Sequence, residues 1–143
     1  MKYFPTLMIW FLLAFAGTSI QAQTNMKEEP REFEMQEGDT TYVMKRYVMV
    51  FLWRGEKAAE FSEKELEELQ AAHLANINRL AEEGIVAVAG PYGDDTELRG
   101  MFILDVGSVE EAKVHVDTDP MIKAGRLRAE YHTWWGAKGT KLP

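Results

Sequence analysis

The chain has 143 residues, with 16 Lys and Arg against 23 Asp and Glu, a net charge of −7 and no cysteine. Nucleic-acid phosphate and anionic membranes both demand clustered Lys and Arg, so a chain whose scattered bases are outnumbered is read as binding neither. Without cysteine there are no disulfide staples, no thiol catalysis, no thiolate zinc site and no lipid-modified cysteine anchor.

The first 22 residues hold 15 hydrophobic positions and one charge, Lys2. Lys2, the unbroken apolar stretch Leu7 to Ala16, and the small and polar residues from Gly17 to Ala22 match the three-part layout of a secretory signal. Cleavage is expected after Ala22, which makes the mature protein exported, periplasmic or secreted, with no stable membrane anchor. The apolar run is about half of the roughly 20 residues that span a bilayer. An uncleaved anchor is the alternative.

Residues 23–40 carry six acids against two bases, with Pro30 and Gly38 as breakers, and read as an acidic polar arm or tether rather than core. Globular folding is expected over 41–143, enough chain for one core and not two.

Tyr47 to Trp53 is a dense run of β-formers, with Val43 leading in, and predicts a strand buried on both faces. Ser62 and Glu65 form an S-x-x-E capping box, Phe61 and Leu66 sit where a hydrophobic staple would, and Gly84 supplies a stop, so a helix is predicted over Glu63 to Glu83. Ile85 to Ala89 predicts a short strand ended by Gly90-Pro91, Tyr92 to Glu97 a polar turn region, and Met101 to Val106 another strand. Ser108 caps a helix from Val109 to about Val116. Asp119-Pro120 opens a short helical turn that runs to Ala124 and stops at Gly125, and Leu127 to Trp135 is the last strand.

The order is β-α-β-β-α-β, which predicts an α+β, ferredoxin-like fold: one four-stranded antiparallel sheet with two helices on one face. Two helices cover only one side of such a sheet, yet the first and third strands are apolar at nearly every position. The second side therefore needs shielding, and a second copy of the chain is the simplest cover. A homodimer is expected, with clefts near the strand ends for a small molecule.

Leu66, Leu69, His73, Ile77 and Leu80 recur at spacings of three and four along the first helix, which places His73 inside an apolar stripe. Imidazole titrates near neutral pH and could act there as general acid or base if a cleft reaches it. The alternative is a boundary histidine bonded to backbone. His115 lies off its helix's apolar stripe and is read as surface. His132 faces opposite the Leu127, Ala129, Tyr131 set and is read as cleft-facing. Asp119, directly before a helix-starting proline, reads first as an N-cap, a role that suits a carboxylate to orient a histidine. Asp94 and Asp95 lie in a turn and are read as solvated, and Asp117 is open between helix end and cleft. No G-x-S-x-G, P-loop, dinucleotide or H-E-x-x-H motif occurs, and the three histidines fall on separate elements without ligand spacing, so no metal site and no cofactor is assigned.

Taken together, the first strand, the Ala72-His73-Leu74 segment, Gly90-Pro91, and Asp117-Thr118-Asp119-Pro120 followed by Ala124-Gly125 resemble the YCII-related proteins over Tyr47 to about Gly136. The resemblance implies a ferredoxin-like fold assembling as a dimeric α/β barrel, with a histidine and aspartate pair that carries over to His73 and Asp119 as the catalytic residues. A relative that dehydrochlorinates chlorinated hydroxyhydroquinones implies acid-base or elimination chemistry on a small molecule. The signal, the acidic arm and Trp134-Trp135 depart from the usual short form.

Three functions follow as expectations. The first is a lyase- or isomerase-type enzyme in which His73 moves a proton, Asp119 holds the imidazole, and Gly90, Pro91, Tyr92, His132 and Trp134 contribute to the substrate cleft. The second is a dimer of the same shape that binds a small molecule without turning it over. The third is a cofactor-free monooxygenase of the dimeric-barrel type.

Overall fold

A computed structural model describes residues 30–142; the expected export signal over 1–22 and the first part of the acidic arm lie outside them. In chain order the elements are β1 (Glu32–Glu37), β2 (Thr40–Arg54), α1 (Glu63–Glu82), β3 (Val86–Pro91), β4 (Leu98–Leu104), α2 (Val109–Val116), α3 (Pro120–Lys123) and β5 (Leu127–Ala137). All strand pairings are antiparallel. β5 lies along one edge of β2, and on the other edge β1 pairs with its first half and β4 with its second. β3 closes the sheet beyond β4. The order β5-β2-β4-β3 is the ferredoxin-like arrangement, with β1 as an addition.

That addition corrects the expected four-stranded sheet to five strands, and it places the second part of the acidic arm in regular structure. Glu37 pairs with Thr40, so Gly38-Asp39 is a two-residue hairpin turn, and Gly38 takes the positive φ of 58° that such a turn needs at its first position. The alternation of Phe33 and Met35 with acids suits a ladder in which Phe33 meets Trp135 edge to face at 4.9 Å. Two ion pairs fasten the strand to the body, Arg31 to Asp105 at 2.6 Å and Lys138 to Glu32 at 2.9 Å, and Lys45 of β2 shares Asp105 at 2.6 Å. Burial alone would push the Asp105 carboxyl up, but its bonds to Lys45 and Arg31 outweigh that and hold it below the usual aspartate range.

The helices cover one sheet face. Val48, Val50 and Leu52 of β2 and Phe102 and Leu104 of β4 are buried there with Val106, Ala112, Val116, Met121 and Leu127. The other residues of β2 (Tyr47, Met49, Phe51, Trp53) are only half-buried, so the strand expected to be buried on both faces is fully buried on one within a single chain. β3 continues through Gly90-Pro91 instead of ending before them: Gly90 pairs with Met101 and Pro91 with Gly100. Proline is tolerated there because β3 is an edge strand and its missing N–H costs no ladder bond.

Candidate active site

Two caps, each legible as a local motif, set the site. Ser62 and Glu65 close the expected capping box, with Ser62 N–H donating to Glu65 Oε2 at 2.8 Å and Glu65 N–H donating to Ser62 Oγ at 3.4 Å. Fixing the start of α1 fixes its phase. Leu66, Leu69, His73, Ile77 and Leu80 form its inward stripe, with His73 and Leu80 buried. Forty-six residues further on, Asp119 caps α3 ahead of Pro120, and its Oδ1 accepts from Met121 N–H at 2.9 Å.

The two elements meet through these residues. His73 Nδ1 lies 2.6 Å from Asp119 Oδ2, with the aspartate 1% and the histidine 8% exposed. An ionised carboxylate only accepts, so Nδ1 carries a proton, and in the neutral ring Nε2 then holds the free lone pair. The His73 ring lies beside Phe102, 6.3 Å between centroids. A second clamp holds α1 against the loop before Asp119: Arg79 Nη2 donates to Asn76 Oδ1 at 2.9 Å and to Thr118 Oγ1 at 3.1 Å, while the Thr118 hydroxyl donates to His115 carbonyl at 2.6 Å. The capping and imidazole-orienting roles of Asp119 are thus simultaneous, one oxygen for each.

A cavity of about 360 Å³ opens beside His73. Gln70, Leu74 and Ile77 of α1 line it on one side, and Gly90 and Pro91 of β3 with Arg99 and Phe102 of β4 on the other; Met121, Arg126 and Leu127 close it. Of the expected cleft residues, Gly90 and Pro91 are in this wall. Tyr92, His132 and Trp134 are not among the lining residues. Tyr92 leaves β3 at its end and donates its N–H to Arg99 carbonyl at 3.0 Å. His132 and Trp134 pair with Met49 and Tyr47 and so share the sheet face opposite the helices. There His132 Nε2 meets Glu130 Oε1 at 2.7 Å and Trp134 packs on Tyr47 at 5.9 Å. The alternation on β5 correctly separated His132 from the Leu127 side; what it could not reveal is that the cavity lies on the helix-covered side. Asp94 and Asp95 are exposed, bonded to Thr96 and Arg99.

Arg99, Arg126 and Gln70 were not among the expected site residues. The one sequence signal for Arg126 is a lone cation between a glycine stop and a strand. Among the described residues no group of three or more His, Asp or Glu side chains converges to hold a metal. Tyr131, on the helix-facing side of β5, has its phenol pushed up to about 12 by burial and by the charge of Asp117, so it offers no base at neutral pH.

Residues 48–134 match the family model of the YCII-related domain. No curated protein matches the chain. Among solved structures the chain is similar to 5-chloro-2-hydroxyhydroquinone dehydrochlorinase from Burkholderia phenoliruptrix AC1100, in complex with 2,5-dihydroxybenzoquinone. That likeness has 22% identity and a TM-score of 0.46, over 66% of this chain and 99% of that one.

Proposed function

The chain belongs to the YCII-related family, and from that premise we propose that it is a small-molecule acid-base enzyme of lyase or isomerase type. His73 is the proton-transfer residue and Asp119 the group that orients it. The observation that carries this reading is the 2.6 Å contact from His73 Nδ1 to Asp119 Oδ2 at the wall of a cavity. Held from behind by Asp119, the neutral imidazole keeps Nε2 as the acceptor, the form required of a general base, and the carboxylate stabilises the imidazolium that forms on proton uptake. A carbon-bound proton taken by Nε2 is then either returned at another position, giving isomerisation, or not returned as a leaving group departs, giving elimination.

Deuterium incorporation from D2O into small carbon acids, 2-oxo acids and hydroquinones, read by mass spectrometry, tests the reading. Exchange is expected with the native protein and should fall about 10²-fold or more in His73→Ala. Equal exchange in both proteins, or none above the buffer rate in either, would replace the enzyme with the non-catalytic binding dimer.

The active form in this reading is an exported homodimer. Tyr47, Met49, Phe51, Met101 and Ile103 are half-buried on the sheet face that no helix among the described residues covers, and sheet-to-sheet association would remove them from water. Sedimentation equilibrium at micromolar concentration should give twice the mass of the mature chain. Monomer mass alone would contradict the dimer.

A further inference from the structure

Arg126 is the group in the cavity wall that the dyad does not use. Its Nε and Nη1 atoms are buried and have no hydrogen-bond partner among the described residues. A guanidinium does not escape such a position by losing its proton, as a buried lysine can, so its donors are left desolvated and unpaired. Such groups cost free energy unless something else accepts from them.

Glu63 and Glu67 share an adjoining cavity with Arg126, but neither Nε nor Nη1 has a hydrogen-bond partner among the described residues. Burial, and after it the charges of Arg54 and Arg99, push the Arg126 guanidinium down from the ordinary arginine value. Both of these arginines are already engaged with the acids of the loop before β4, Arg54 with Glu97 at 3.2 Å and Arg99 with Asp95 at 3.1 Å. Among the described residues no carboxylate lines the cavity; its polar side chains are Gln70, His73, Arg99 and Arg126. The lining therefore combines two guanidinium groups, Arg99 and Arg126, with the apolar surface of Leu74, Ile77, Phe102 and Met121.

Backbone contacts hold Arg126 in place. Its N–H donates to Met121 carbonyl at 3.0 Å and its carbonyl accepts from Gly55 N–H at 2.9 Å. A guanidinium offers two bidentate edges, Nε with Nη2 and Nη1 with Nη2, and each edge here carries one of the unpartnered donors.

We propose that Arg126 is the anion-binding residue of this cavity and that the molecule bound is a small organic carboxylate, its carboxylate paired with Arg126 and its apolar body against Leu74, Ile77 and Phe102. This deepens the acid-base reading above and rests on it for the part played by His73. An anion seated on Arg126 shares one cavity with the His73 ring, and the same cation would stabilise negative charge that develops as a proton leaves the ligand.

Benzoate and its uncharged counterpart benzamide are suitable probes, titrated calorimetrically into the mature protein at low salt. Benzoate should bind about tenfold or more tightly than benzamide, and raising the salt concentration should narrow the gap. In Arg126→Gln the preference should vanish while benzamide binding is kept; in Arg126→Lys part of it should remain. His73→Asn should keep the preference, so a failure of proton transfer and a failure of anion binding are told apart. Benzoate binding no tighter than benzamide in the native protein, or a preference undiminished in Arg126→Gln, would overturn the assignment.

Discussion

Asp119→Ala is expected to lower stability by about 2–4 kcal/mol, the sum of two losses that one carboxylate now prevents. The first is the cap of α3, since Met121 N–H loses the Oδ1 acceptor it has at 2.9 Å; removing an N-cap costs about 1 kcal/mol. The second is the imidazole. His73 is 8% exposed, and its Nδ1 would be left in a buried site with no acceptor where it now has one at 2.6 Å, a penalty of about 1–3 kcal/mol. Asp119→Asn should be milder in stability and more informative in chemistry. Its amide oxygen can keep the cap while its NH2 donates to His73 Nδ1, which forces the ring proton onto Nε2 and removes the free lone pair. Urea denaturation measures the first effect, and long-range 1H–15N correlation of the His73 ring measures the second. An Asp119→Ala protein that unfolds at the native urea midpoint would mean that the dyad contact contributes nothing to the fold.

Gly55→Ala is expected to cost about 2–3 kcal/mol and to loosen the cavity although Gly55 does not line it. A Cβ at Gly55 would stand 2.2 Å from the Gly125 carbonyl oxygen and 2.8 Å from the carbonyl carbon of Arg126. Both obstacles are backbone, so no side-chain rotation relieves them. The segment they belong to cannot retreat cheaply. Gly55 N–H is bonded to Arg126 carbonyl at 2.9 Å and Lys57 N–H to Gly125 carbonyl at 3.2 Å, at the point where Arg54 pairs with Leu127. Gly125 itself has φ 75°, which a side chain there would strain. Gly93→Ala is the control: its Cβ would meet nothing within 4 Å and its φ is not positive, so its stability should stay within about 0.5 kcal/mol of native. If Gly55→Ala denatures with Gly93→Ala, the close approach of the two segments is not a constraint on the fold.

The difference between what the residues foretold and what they did not follows the range of the interactions. Helix starts at Ser62, Ser108 and Asp119 and the stops near Gly84 and Gly125 are written in neighbours three or four positions apart, and these elements formed where the motifs put them. β1 escaped notice because its signal is weak by itself: two apolar residues among acids, in a segment with two breakers. It is a strand because the first half of β2 extends beyond β4 and offers an unpaired edge, and because Trp135, from the far end of the chain, stands ready for Phe33. That His132 and Trp134 do not line the cavity beside His73 has a related cause. Alternation tells which residues share a face but not which face the helices take.

Sequence alone determined the helices, the β-α-β-β-α-β order of the sheet without β1, the inward phase of His73 and the capping role of Asp119, because each depends on local spacing and on periodicities of 3.6 and 2. The tertiary structure decided the rest. It brought His73 to Asp119 across a separation of 46 residues, put a cavity on the helix-covered side of the sheet, and buried two guanidinium nitrogens of Arg126 without an acceptor among the described residues. Those outcomes depend on strand pairing and on desolvation, and whether a polar atom has a partner is a property of the whole packed chain rather than of the residues beside it.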